Sequence, residues 1–122
     1  MMISCLAVGL GGFAGSVLRY LIGLVPLRPQ SGFPAKTFLI NILGSFAIGL
    51  IAAAAAKNKN LNPNLILFLK VGICGGFTTF SSFALETSDL LKAGAAPTAV
   101  LYAVLSMAAG VLAVMAAQMI VH

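Results

Sequence analysis

At 122 residues, the chain has room for one domain, residues 1–122. Hydrophobic residues make up 61% and charged residues only 7%, against roughly a quarter charged in soluble domains, so the chain reads as an integral membrane protein. The net charge of +5 does not indicate nucleic acid. Arg19, Arg28, Lys36, Lys57, Lys59, Lys70 and Lys92 are scattered, without a cluster or interleaved aromatic residues.

Four apolar segments follow, each near the roughly 20 residues that cross a bilayer. The first covers about residues 3–25. Met1–Ser4 carry no basic side chain and the apolar run is too long for a cleavable signal, so a retained span is expected. Gly11 and Gly15 form a small-xxx-small face suited to close helix packing. Arg19 lies late in this span and has two readings: it snorkels to the interface, or it draws anions into a vestibule. Pro26-Leu27-Arg28-Pro29-Gln30 closes the segment with an interfacial loop.

The second segment covers about residues 37–56, entered through Pro34-Ala35-Lys36 and ended by Lys57-Asn58-Lys59-Asn60. Gly44, Ser45 and Gly49 repeat the small-residue spacing. Asn41 sits one turn after Thr37. Its amide offers two donors and an acceptor, so it either replaces part of an anion's hydration shell or glues helices together.

The third segment, about residues 65–91, is interrupted by Gly72-Ile73-Cys74-Gly75-Gly76-Phe77-Thr78-Thr79-Phe80-Ser81-Ser82-Phe83. Three glycines and a row of hydroxyls are poor helix material. A broken helix at membrane depth is tolerated only inside protein, around an ion or along a wet path, so this segment is expected to handle an ion. Phe80 and Phe83 are three apart and share a face once the helix resumes. They are packing residues, or their electropositive ring edges face a small anion, with Thr79 and Ser81 beside them. Cys74 reads as a small packing residue. With Cys5 it forms no pattern for metal or disulfide. Glu86 is the single candidate for an embedded proton-exchanging carboxylate, or else a charge near the helix end, and Asp89 lies close to that end.

The fourth segment covers about residues 98–121, entered through Ala96-Pro97. Tyr102 and Ser106 are one turn apart and would line two hydroxyls along one face. Weakly committed donors of this kind suit conduction, where an ion must both enter and leave. Ala109-Gly110 with Ala113 is a further packing face, and His122 reads as a solvated terminus.

With four spans, the loop holding Lys57 and Lys59 lies on the side of both termini, while Arg28, Lys36 and Lys92 lie opposite. Orientation follows an excess of basic residues on the cytoplasmic side. Two against three is almost no excess, which permits insertion both ways and an antiparallel pair. Four short spans enclose too little for a private pore, so a two-fold closed dimer is the simplest assembly. No nucleophile–base pair, metal set or phosphate loop is present, so no enzyme is expected.

Gly-x-Cys-Gly-Gly-Phe-Thr-Thr-Phe-Ser-Ser-Phe followed by Glu86 resembles the signature of the CrcB/Fluc fluoride channels. So do Gly11-Gly12 with Arg19, and Thr37 with Asn41; the resemblance covers essentially the whole chain. It implies an all-α membrane protein of four transmembrane helices, the third broken mid-membrane, forming an antiparallel dual-topology homodimer in the cell's inner (plasma) membrane. Two fluoride pores would each be lined by both subunits. By resemblance, Phe80 and Phe83 are the phenylalanines whose ring edges face fluoride, and Asn41 is the pore amide. Tyr102 and Ser106 match the polar track, Thr37 and Arg19 the vestibule, and Glu86 a glutamate near one end of the pathway. The break matches a structural Na⁺ site on the dimer axis, with the carbonyls of Gly75 and Thr78 from both subunits around the ion. A hard cation suits such oxygens.

The implied function is passive, electrodiffusive export of fluoride, with the bilayer and a second copy as partners and no nucleic acid. Selectivity for fluoride over chloride follows from the resemblance alone. The runner-up is a proton-coupled, small multidrug-type exporter. Such carriers depend on a first-span carboxylate, and this first span has none. A non-conducting assembly subunit would explain the small-residue packing but not the costly break.

Overall fold

A computed structural model of the chain describes residues 1–121; His122, expected to be a solvated terminus, lies outside the described residues. Helix α1 covers Met2–Gly23 and α2 covers Ala35–Lys57. A third span, Pro63–Lys92, is interrupted, and a final helix covers Ala96–Val121. All four spans are long and apolar enough to cross a membrane, and the chain is a multi-pass helical membrane protein.

The third span consists of two helices. The first, α3 (63–77), starts at the Asn62 N-cap, whose side chain accepts the Asn64 N–H at 2.8 Å, with Pro63 in the first turn. It widens into a π-helix over Leu67–Cys74 and ends with the turn Gly75–Phe77. Thr78 (φ −82°, ψ 156°) and Thr79 (φ −148°, ψ 121°) are extended. Helix α4 then resumes over Phe80–Lys92, its N-terminus capped by Thr79 Oγ1, which accepts the Ser82 N–H at 3.1 Å. The interruption therefore falls at the two β-branched threonines inside the motif, while its three glycines remain helical.

Two of those glycines, Gly72 and Gly76, serve packing instead. A Cβ on Gly72 would lie 2.8 Å from the Gly11 Cα, and one on Gly76 would lie 2.7 Å from the Gly12 carbonyl oxygen. Gly11 and Gly15 are buried against α3. With no side chains between them, α1 and α3 run parallel, backbone against backbone. The final helix, α5 (Ala96–Val121), pairs with α2 in the same manner. A Cβ on Gly49 would come within 2.8 Å of the Val114 carbonyl oxygen and 2.9 Å of the Ala117 Cβ. Gly110 faces Ser45, and Lys57 Nζ donates to the Val121 carbonyl at 3.2 Å, so the register is parallel here too.

Loop chemistry completes the frame. Lys36 Nζ donates to the Gly23 carbonyl at 2.8 Å, placing a cation on the last turn of α1. Gly94 (φ +80°) ends α4 in a left-handed turn, with the Ala95 N–H bonded to the Leu90 carbonyl at 2.8 Å. Among the described residues, buried apolar side chains are few: Ile40, Cys74, Ala99, Tyr102 and Ala117. Leu10, Phe13, Val104 and Leu112 instead point outward, as suits a protein whose solvent is lipid.

Candidate functional site

An interrupted helix frees backbone groups that have no water to bind in a bilayer, so their partners identify the residues built around the break. The Gly76 carbonyl accepts from Arg19 Nε at 3.1 Å. The Thr79 N–H donates to Asn41 Oδ1 at 2.9 Å, and Asn41 Nδ2 donates to the Thr79 carbonyl at 3.1 Å. The Cys74 carbonyl accepts from both the Thr78 N–H (3.0 Å) and Thr78 Oγ1 (2.8 Å). Arg19 thus has a role beyond snorkelling or anion attraction: it satisfies a carbonyl exposed by the break. Two carbonyls on the same segment, those of Gly75 and Thr78, accept no hydrogen bond among the described residues.

A groove of about 390 Å³ opens beside the break. Asn41, Thr79, Phe80, Phe83 and Ser106 line it, together with Gly75 and Thr78. No charged side chain lies on its wall. Asn41 uses one amide hydrogen on Thr79 and keeps a second for the groove, so the helix-gluing and ion-facing readings apply to the same side chain. Ser106 Oγ is buried and has no hydrogen-bond partner among the described residues. Phe80 is 79% exposed on the open side, and its ring centroid lies 5.8 Å from that of Phe83 at an interplanar angle of 46°. The two rings are tilted against each other rather than stacked face to face. Ser81 is exposed outside the groove, 3.5 Å from Thr79 Oγ1 through its own hydroxyl.

Tyr102 and Ser106 present their hydroxyls to different places. Ser106 lines the groove while its Oγ is buried, whereas Tyr102 is fully buried and donates to Glu86 Oε1 at 2.9 Å. The phenol ring carries its hydroxyl away from the helix axis to the carboxylate, where a serine hydroxyl stays close to the backbone. Thr37 Oγ1 donates to Glu86 Oε2 at 2.8 Å, so both carboxylate oxygens are engaged. Thr37 and Glu86 also form part of a second cavity of about 570 Å³ at the loop end, lined by Arg28, Lys36 and Asp89 among others. The sequence-selected residues therefore form two linked groups: Asn41, Thr79, Phe80, Phe83 and Ser106 at the groove, and Thr37, Glu86 and Tyr102 at the loop end.

Phe83 connects them, its ring 5.0 Å from that of Tyr102. On the other side of Tyr102 stands Phe33, edge-on at 5.4 Å and 79°. Phe33 carried no signal in the sequence, because a loop aromatic between Gly32 and Pro34 shows its burial partner only after the helices assemble. Gly44 was legible only as a packing glycine. The chemistry on offer is uniform: neutral donors, ring edges and free carbonyls. Weak donors of this kind suit the exchange of a small ion's water shell, and among the described residues no cluster of His, Cys, Asp and Glu is available to fix a metal through side chains.

The family profile described as "CrcB-like protein, Camphor Resistance (CrcB)" matches residues 6–118. A "Fluoride-specific ion channel FluC" from Chlorobaculum tepidum is 48% identical over 110 residues, covering 90% of this chain and 87% of the relative. The protein of that name from Ruminiclostridium cellulolyticum is 51% identical over 108 residues, covering 88% and 83%. The one from Azobacteroides pseudotrichonymphae is 46% identical over 109 residues, covering 88% and 87%.

Proposed function

The chain belongs to the CrcB family, and from that premise we propose that it is a fluoride-specific ion channel, not an enzyme, exporting F⁻ passively from the cytoplasm. The structural observation that carries the reading is the groove at the break, where Asn41, Ser106 and the Phe80–Phe83 pair meet with no charged side chain. A small anion losing its water needs donors, and these are weak enough to let it leave. Fixed cations would hold it.

The driving force is the membrane potential, about 2.3 kcal/mol per charge per 100 mV. Hydrogen fluoride enters from acidic surroundings, dissociates in the more alkaline cytosol and is trapped as the anion, so an open path suffices for protection against fluoride toxicity. The Arg28–Lys36 end is the proposed mouth, with Thr37 and Glu86 at its floor. The reading takes the chain to sit in the inner membrane as an antiparallel, dual-topology homodimer. The near-balanced basic loops and the open face of the groove support that assembly.

Gly75 and Thr78 fit a structural Na⁺ site, because the break leaves their carbonyls free and hard oxygens suit a hard cation. Bound there, sodium would satisfy carbonyls that the break leaves unpaired. The exporter reading gains no support: α1 has no carboxylate, and Glu86 is held by Thr37 and Tyr102.

The test is fluoride release from KF-loaded proteoliposomes, followed with a fluoride electrode after valinomycin is added, with chloride-loaded vesicles as control. Valinomycin-dependent F⁻ release without Cl⁻ release is the expected result. No release from folded protein would end the channel reading.

A further inference from the structure

We propose that Gly44 is a positioning residue that sets where the broken segment sits, by making room for one methyl group of Thr78. Its bearing on conduction rests on the channel reading above. Gly44 is buried on α2, three residues beyond Asn41, so both lie on one face of that helix. Asn41 grips the Thr79 peptide, and Gly44 receives the neighbouring Thr78 side chain. A Cβ on Gly44 would overlap the Thr78 Cγ2 methyl, while the Thr78 Cβ would stand at an ordinary 3.6 Å and the Phe77 Cδ2 at 3.3 Å.

Thr78 cannot turn that methyl aside freely. Its Oγ1 donates to the Cys74 carbonyl at 2.8 Å, which fixes the rotamer on an extended backbone. An added Cβ would therefore break this bond or push α2 away from the segment. Either movement shifts the Asn41–Thr79 clamp and the free Thr78 carbonyl. Other packing glycines differ in kind: Gly11, Gly15 and Gly76 face backbone, which no substitution can trim. At Gly44 the obstacle is one methyl, and serine at position 78 removes it while keeping the hydroxyl.

The test is a cycle of wild type, Gly44→Ala, Thr78→Ser and the double variant, reading fluoride release and melting temperature. Gly44→Ala is expected to slow release at least about tenfold, the size of coupling expected between touching side chains. Thr78→Ser alone sets the reference for the rescue, and the double variant should release within about threefold of that reference. Gly49→Ala, whose Cβ meets Val114 and Ala117, should not be rescued by Thr78→Ser. Wild-type release from Gly44→Ala, or a double variant no better than the single, overturns the proposal. So does recovery of melting temperature without recovery of release. If Gly44→Ala yields no folded protein, the double variant decides: recovery supports the role and failure overturns it. A wild type that releases no fluoride, with the rescue still visible in melting, would sink the channel reading and leave the positioning of the segment standing.

Discussion

Asn41 holds both polar groups of a single residue, Thr79: its Oδ1 accepts the N–H at 2.9 Å and its Nδ2 donates to the carbonyl at 3.1 Å. The side-chain amide replaces backbone bonds that the helix break removed. The pairing also fixes which way the amide points, because the reverse assignment would set donor against donor and acceptor against acceptor. One N–H is thereby left on the groove wall.

Asn41→Leu is expected to abolish fluoride release and lower the melting temperature. Leaving a buried group unsatisfied costs about 1–3 kcal/mol, although interhelical hydrogen bonds measured in a membrane average only about 0.6 kcal/mol. Release that survives while melting falls would make Asn41 a clamp with no part in the pathway.

The two phenylalanines should separate by readout. Phe80 is 79% exposed and contacts the groove, so Phe80→Ile should cut release with little change in melting. Phe83 packs on Tyr102 as well, so Phe83→Ile should cut release and also cost stability by about 1 kcal/mol, the scale of an aromatic pair. Unchanged flux in both variants would remove the rings from the mechanism.

The spans were legible because membrane helices announce themselves by length and composition, and the break because threonines and glycines interrupt an apolar run. Where within the motif the chain opens was not legible: the glycines look like breakers, yet all three are helical and Gly72 and Gly76 pack closely on α1. Asn41 and Arg19 could be flagged as costly polar groups, but their partners, Thr79 and Gly76, lie 38 and 57 residues away. Such pairings depend on which helices touch. The burial of Tyr102 under Phe33 belongs to the same class, since no local spacing encodes a loop ring inserted between helices.

Glu86 and Tyr102 should be energetically coupled. Tyr102→Phe removes a donor to Glu86 Oε1, while Glu86→Ala strands a fully buried phenol hydroxyl. The second change is expected to be more damaging, because the phenol it strands is fully buried, whereas Tyr102→Phe leaves a carboxylate that is only partly buried and still bonded to Thr37. In a melting-temperature cycle the double variant should lose less than the sum of the singles, by about 0.5–3 kcal/mol. Strict additivity would show that the 2.9 Å contact contributes nothing.

Sodium dependence should follow from carbonyl chemistry. Replacing Na⁺ on both sides of the vesicles by a large organic cation is expected to lower release and melting together. Gly75 and Thr78 offer backbone oxygens only, so the response should persist when their side-chain neighbours are changed but the backbone is kept, as in Thr78→Ser. Full release without Na⁺ would sink that assignment.

Topology gives the last prediction. Lys57 and Lys59 on the terminus side face Arg28, Lys36 and Lys92 opposite, a balance too even to set one orientation. In a Cys5→Ser background, Asn60→Cys and, separately, Ser31→Cys place exposed thiols in loops on opposite sides. Each should label from both faces of the membrane in comparable amounts. Removing Lys57 and Lys59 by substitution with Gln leaves the excess on one side, which should drive a single orientation and abolish release, since every copy would then insert alike. Labelling from one face in the unbiased background would exclude the antiparallel homodimer. Release that persists in the biased variant, with labelling from one face only, would show that conduction does not need opposed subunits.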